Sequence, residues 1–289
     1  MGVFVEEVVN GLTVGSEYAL VAAGLALIFG VVQIVNFAHG ELYMVGAYLL
    51  YLVESYLNWP YVPAALLAVL GMGVFGVVFY YVVVRNVLGK GWQTQLVATL
   101  AASVLLVNVV IVWAGSVPKV VLSPLTSTIV TLFVVRLSMQ RLVVLAFALV
   151  AFVCLYAFLK HTKPGKAMRA MSQNRDAAIV VGIPIESVAL SAVVVGSMLA
   201  GVAAVSIPPL ANISPTMGAI VTLKAFAAVV MGGFTNVTGA IVSAFLLGLA
   251  EAIGIIWVPS EYADAIVFGV MIAVLLFRPH GLFGRAARA

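Results

Sequence analysis

The sequence divides into apolar runs separated by short polar interruptions: residues 11–31, 39–57, 61–84, 93–114, 142–159, 188–206, 218–231, 239–258 and 262–277. A helix needs about 20 predominantly apolar residues to cross a bilayer, and only helices or closed barrels satisfy their backbone groups inside one. Residues 218–231 fall short of that length and are followed by MGGFTNVTGA, which suits a broken or re-entrant helix. With 64% hydrophobic and 8% charged residues among 289, a soluble globular domain is excluded. The expectation is an all-α polytopic transmembrane bundle of eight or nine spans, forming one domain over residues 1–289.

Orientation follows from where the basic residues gather. Arg85 and Lys90 flank one interruption, Lys160, Lys163, Lys166, Arg169 and Arg175 fill a second, and Arg278, Arg285 and Arg288 come last. An alternating path puts all three groups on one side, the cytoplasm, with the C-terminus there and the N-terminus outside. Glu6, Glu7, Glu54, Glu261 and Asp264 then lie outside, and Trp59, Trp92, Trp113 and Trp257 fall at span ends as aromatic belts require. Glu6 and Glu7 stand where a cleaved signal would carry Lys or Arg, so the first apolar stretch is expected to remain as a span. The formal charge of +4 reflects this orientation rather than nucleic-acid binding. The single cysteine, Cys154, lies inside an apolar run, where it makes neither an intrachain disulfide nor a cysteine metal site.

The long basic interruption, residues 160–187, predicts a break at Pro164 and Gly165, one helix over 166–181, and a stop at Gly182 and Pro184. Ala167, Ala170, Met171, Asn174, Ala178 and Val181 share one side of that helix; Lys166, Arg169, Gln173 and Asp176 share another. Such a helix can lie on anionic headgroups or dock a cytoplasmic partner, and the small alanine face favours docking over insertion in lipid. The segment 114–142, β-branched and carrying Pro118 and Pro124, predicts an extended excursion on the outer side.

Charges near the middle of a span cost about 2.5–3.5 kcal/mol on insertion scales, which singles out Glu17, Glu41, Lys224 and Glu251. Lys224 is placed to pair with Glu17 or Glu251, either as a structural ion pair or as a gate that exchanges partners. Asn36, His39 and Glu41 cluster around Gly40, where Asn36 or His39 is expected to cap the following helix. The three histidines, His39, His161 and His280, lack ligand spacing, so no metal site is expected. Gly71, Gly73 and Gly76, like Gly232, Gly233 and Gly239, suit close helix packing. The second set adjoins Thr235, Asn236 and Thr238, a combination that also suits an interrupted helix beside a pathway. The sequence contains no GxxxxGK[ST], HExxH or GxSxG motif, so an enzyme is not expected.

Three stretches carry a family resemblance. NGLTVGSEYALVAAGLALIFGVVQIVNFAHGELYMVGAY at residues 10–48, GKAMRAMSQNRDAAIVVGI at 165–183 and TLKAFAAVVMGGFTNVTGAIVSAFLLGLAE at 222–251 resemble the LivH-type permeases of branched-chain amino acid ABC importers. Asp176, Ala177 and Ala178 followed by Gly182 also resemble the EAA-xxx-G signature of importer permeases, with Asp in place of Glu and without the downstream Ile and Leu-Pro. The resemblance implies a bacterial inner-membrane subunit that pairs with a second homologous permease and receives substrate from a periplasmic binding protein. It further implies two cytoplasmic ATPase subunits that bind ATP and Mg, this chain binding no cofactor itself. It gives Arg169, Asn174, Asp176, Ala177, Ala178 and Gly182 a place in ATPase coupling, and makes Asn36, His39, Gly40 and Glu41 family-motif positions. Candidate pathway or gate residues are Asn36, His39, Glu41, Glu17, Lys224, Asn236 and Glu251. Relatives that import urea or short amides leave the cargo open. The residues alone also permit an ion-coupled secondary transporter using Glu17, Lys224 and Glu251 as a relay.

Overall fold

The computed structural model describes residues 2–132 and 135–284, without side-chain detail at 2, 3, 131, 132, 135 and 136. Arg285 and Arg288 lie outside the described residues. The chain forms α1 (Gly2–Val32), α2 (His39–Leu57), α3 (Tyr61–Val87), α4 (Trp92–Ala114), α5 (Met139–His161), α6 (Lys163–Gln173), α7 (Arg175–Val180) and α8 (Ile185–Ser206). It continues through α9 (Met217–Gly232), α10 (Val237–Gly254) and α11 (Ala263–Phe277), and a small antiparallel hairpin, β1 (Ile129–Leu132) with β2 (Val135–Ser138), precedes α5.

Among the described residues, 7 helices are long and apolar enough to cross a membrane: α1, α3, α4, α5, α8, α10, and α11 with the 3-10 turn before it. The other two apolar helices fall short for different reasons. At 19 residues α2 is long enough but is diluted by His39, Glu41, Tyr43, Tyr48, Tyr51 and Glu54; at 16 residues α9 is apolar but short. They pack against each other.

The long α1 is the axis of the bundle: 89% of its apolar window is buried, against 17% for α4 and α5. Because lipid is as apolar as leucine, helices in a membrane associate through close packing rather than water exclusion. A Cβ added at Gly248 of α10 would lie 2.5 Å from Gly15 of α1, and one at Gly24 of α1 would lie 2.9 Å from the Gly196 carbonyl of α8. The outer helices turn Leu70, Val104, Leu149 and Leu276 outward, as lipid-facing surfaces do. Cys154 is likewise exposed on α5.

Arg85, the basic loop of α6 and α7, and Arg278 gather at one end of the bundle, whereas Lys119 and Arg141 lie at the other and Lys224 within α9. Arg85 meets Glu186 at 3.5 Å, joining the end of α3 to the start of α8, and Arg175 donates to Gln33 after α1 at 3.4 Å. The segment after Arg278 folds back onto α9, where the Leu282 amide donates to the Met231 carbonyl at 2.7 Å. At the opposite end, buried Gln140 donates to the Tyr61 hydroxyl at 2.8 Å and to the Ser206 carbonyl at 3.0 Å, tying α5 to α3 and α8. The connector beyond α4 is extended there, as its β-branched sequence predicts, except for a helical turn over Pro124–Ser127, and Lys119 bridges to Ile213 before the hairpin. Trp59, Trp92, Trp113 and Trp257 stand at or just beyond helix ends.

Two local expectations are corrected. The basic loop is not one helix over 166–181: α6 and α7 are separated at Asn174, whose backbone is extended at φ −155° and whose side chain accepts the Ala177 amide at 3.0 Å. A short amide side chain competes with the backbone for hydrogen bonds, which makes asparagine a cap rather than a helix interior. The break expected at Pro164 and Gly165 falls instead at Thr162, just before them, where the backbone is extended between α5 and α6. Pro164 and Gly165 both lie in the first turn of α6, where proline's missing N–H costs nothing, and Thr162 caps that helix through the Gly165 amide. The expected stop does occur at Gly182, at φ +83°, with Gly182 donating to Ile179 and Ile183 to Ala178 as the helix closes.

Candidate functional site

The intramembrane charges converge on α9. Lys224, in the middle of that helix, places its ammonium 2.7 Å from Glu251 of α10 and 2.8 Å from Asp264 at the start of α11. It also donates to the Tyr18 hydroxyl of α1 at 3.0 Å, and that hydroxyl donates to the other Glu251 oxygen at 2.9 Å. Four helices are thus held by one ammonium. Lysine's four-carbon stem permits this, carrying the charge away from its own helix to where partners converge.

Of the two carboxylates expected to pair with Lys224, Glu251 does so and Glu17 does not. Glu17 and Tyr18 are neighbours on α1 and so point about 100° apart, given 3.6 residues per turn. Tyr18 takes the side facing Lys224, while Glu17, 8% exposed, is set beside the Tyr43 hydroxyl of α2. Sequence reasoning missed Asp264, which it assigned to an external flank, and Tyr18, whose only signal was its adjacency to a buried glutamate.

A second constellation forms where α2 and α9 begin. The expected cap is not made: Asn36 accepts the Ala38 amide at 3.1 Å inside the preceding turn, and no side chain caps α2. His39, fully buried, sets Nε2 3.2 Å from the Val21 carbonyl of α1. Glu41 receives the Ser103 hydroxyl of α4 on Oε1 at 3.0 Å, and its Oε2 lies against Gly218 of α9. Gly40 and Gly218 let the two helices touch; a Cβ at Gly40 would overlap the Thr222 hydroxyl and the Gly218 carbonyl. The sequence marked Asn36, His39 and Glu41, but Ser103, Gly218 and Thr222 lie too far along the chain to be linked to them by spacing.

The third feature lies at the basic end. A cavity of about 730 Å³ opens between α1, α6 and the turn joining α9 to α10, lined by Gly30, Arg169, Gln173, Asn236 and His280. Asn236 caps α10 through the Gly239 amide at 3.0 Å. Gly232 and Gly239 touch across the turn, the close-packing role expected of them, while Asn236 faces the cavity. Beside the cavity, Met168 and Met171 of α6 and Ala178 of α7 are buried. Ile179, Val180 and Val181 instead stand in the open at 43%, 86% and 75% exposure. Asp176 occupies the first turn of α7, where the helix dipole favours a carboxylate. The expected alanine docking face is therefore partly spent on the bundle itself, and the outward apolar surface is the Ile-Val-Val tip.

These regions include no group of His, Cys, Asp or Glu arranged to hold a metal among the described residues.

A family model described as "Branched-chain amino acid transport system / permease component" matches residues 7–275. The chain is similar to the high-affinity branched-chain amino acid transport system permease protein BraD of Pseudomonas aeruginosa, at 32% identity over 98% of this chain and 96% of the relative. It is 30% identical to the corresponding LivH protein of Escherichia coli K12 over the same shares. A probable branched-chain amino acid transport permease protein LivH of Methanocaldococcus jannaschii is 28% identical over 92% of this chain and 88% of its own. Among solved structures, a chain of PsaBC from Streptococcus pneumoniae in complex with Fab shares the fold at a TM-score of 0.51 and 9% identity, covering 94% of this chain and 91% of that one.

Proposed function

The chain belongs to the branched-chain amino acid permease family, and on that premise we propose that it is one translocating subunit of an ATP-driven importer for branched-chain amino acids. The observation that carries the proposal is the family match across residues 7–275, joined to relatives similar over nearly their whole length. Nothing in the chain's own motifs binds nucleotide, so the energy is assigned to two partner ATPase subunits that hold ATP and Mg at the basic, cytoplasmic end. A second permease of the same family completes the pathway, and a periplasmic binding protein delivers cargo to the opposite end. In this reading the complex sits in the bacterial inner membrane with the N-terminus outside. The α6–α7 loop transmits ATPase closure to the spans, which rock between outward-open and inward-open states.

Two physical features support the coupling role of the loop. Its inner face is anchored through Met168, Met171 and Ala178, so a push on the tip reaches the bundle, and its outer tip presents Ile179, Val180 and Val181 to a partner. Asp176→Lys and Gly182→Trp are expected to lower uptake roughly 5–100-fold, the range of typical coupling energies, while leaving membrane insertion intact. A Cβ added at Gly182 meets nothing within 4 Å, and a side chain at its positive φ is strained by about 1–2 kcal/mol. Uptake at the parental rate by both variants would remove the loop from the coupling path.

The decisive experiment is purification of this chain in mild detergent, with co-purifying proteins identified and their ATPase activity assayed, followed by leucine uptake in proteoliposomes. Recovery of two ATPase subunits and a second permease, with uptake that requires ATP, is the expected result. Recovery of this chain alone, with uptake that follows the proton gradient, would replace the importer by an ion-coupled transporter using Glu17, Lys224 and Glu251.

A further inference from the structure

Where α2 meets α9, three side-chain atoms within a short stretch have no hydrogen-bond partner among the described residues: Nδ2 of Asn36, Nδ1 of His39 and Oε2 of Glu41. Their side chains are 1%, 0% and 2% exposed. Buried polar atoms are satisfied in the great majority of cases, and each exception calls for an explanation. The backbone adds to the account. The amides of Gly40 and Gly218 each lie in the first turn of a helix, where no intrahelical acceptor exists, and neither has an acceptor among the described residues.

Two helix N-termini, of α2 and α9, therefore converge at this level, both with glycine where backbone is approached most closely. Helix N-termini favour anionic groups, and first-turn amides without an acceptor add to that preference. Set into the same spot is a carboxylate, Glu41, with one oxygen committed to Ser103 and the other lying against Gly218 without a donor. The site thus offers an acceptor carrying negative charge beside donors carrying partial positive charge.

We propose that the α2–α9 junction is the intramembrane subsite for a zwitterionic amino acid, Glu41 taking the ammonium group and the Gly40 and Gly218 amides taking the carboxylate. This rests on the importer reading and deepens it by assigning the two charged groups of the cargo to named positions. A neutral amide or urea leaves the Glu41 charge uncompensated, and a simple carboxylic acid meets it with like charge. In this structure the helices are closed on each other, Gly40 against Gly218 and Thr222, so binding requires α2 and α9 to part. Ser103 holds Glu41 in place from α4, and His39 is anchored to α1 at Val21 while its other ring nitrogen stays free.

The test uses the whole transporter, isolated through this chain and reconstituted in proteoliposomes, with L-leucine moved per ATP hydrolysed as the readout. Glu41→Gln keeps the shape and removes the charge, and the ratio is expected to fall roughly tenfold or more, the loss of about one charge-assisted hydrogen bond. Glu41→Asp, which restores the charge on a shorter arm, is expected to recover part of it. A parental ratio in Glu41→Gln would overturn the proposal. So would failure of both variants to assemble with their partners, which assigns the carboxylate to the fold. A parental complex that moves urea or a short amide but not leucine would overturn the zwitterion subsite and leave the permease reading standing with another cargo. Absence of all uptake by an intact parental complex would remove the importer reading itself.

Discussion

Lys224→Met is expected to destabilise the chain by about 3–5 kcal/mol, the cost of breaking a buried ion pair by removing one partner. The substitution leaves Glu251, whose side chain is 15% exposed, facing only the Tyr18 hydroxyl, and it unties α9 from α1, α10 and α11 together. Loss of the monodisperse peak after heating in detergent measures it. The double variant Lys224→Met with Glu251→Met should recover most of that loss, since apolar residues of similar volume replace buried pairs at little cost or with gain. Asp264→Asn should cost less than about 1 kcal/mol, because Asp264 is 58% exposed and solvent screens its contact. Parental stability in Lys224→Met combined with lost uptake would make the group a gate rather than a clasp.

Gly40→Val should abolish accumulation of folded protein. Ordinary overpacking costs about 1–3 kcal/mol because side chains yield, but at Gly40 the obstacle includes the Gly218 carbonyl, which moves only if α9 moves. Gly269→Val supplies the control. Its added Cβ meets nothing within 4 Å on the outward face of α11, so the same substitution there should change stability by less than about 1 kcal/mol. Fluorescence size-exclusion profiles of tagged variants distinguish the two. A normal profile for Gly40→Val would mean that α2 and α9 are apart in the resting protein.

The spans, the amphipathic loop and the buried charges were legible along the chain because each is a property of consecutive residues. The stop at Gly182 was legible because a glycine after a helical run carries its own backbone preference, whereas the cap at Asn236 was not read from the sequence, which placed Asn236 only beside a helix interruption. The break at Asn174 was hidden by the alanines around it, which favour one continuous helix. Asp264 was misplaced for a related reason: an acidic residue at the start of a span reads as a flank, and only the packing of α11 against α9 turns it toward Lys224. The choice of Tyr18 over Glu17 depends on the rotation of α1 about its axis, which neighbouring residues do not record.

That rotation marks the boundary between what the sequence determined and what tertiary structure decided. Partition into lipid and helix formation depend on local composition, so the sequence by itself determined an all-helical membrane bundle, the basic end, and the one short apolar helix. Which face of each helix meets which neighbour was decided only in the folded bundle. In a soluble helix a polar stripe marks the outward side; here helices such as α3 are apolar all round, because lipid and protein interior are equally apolar solvents. Partner choice then falls to close contact at glycines and to the few polar side chains that must find one another, and both are settled in three dimensions. The clasp at Lys224 and the Gly40–Gly218 junction are the results.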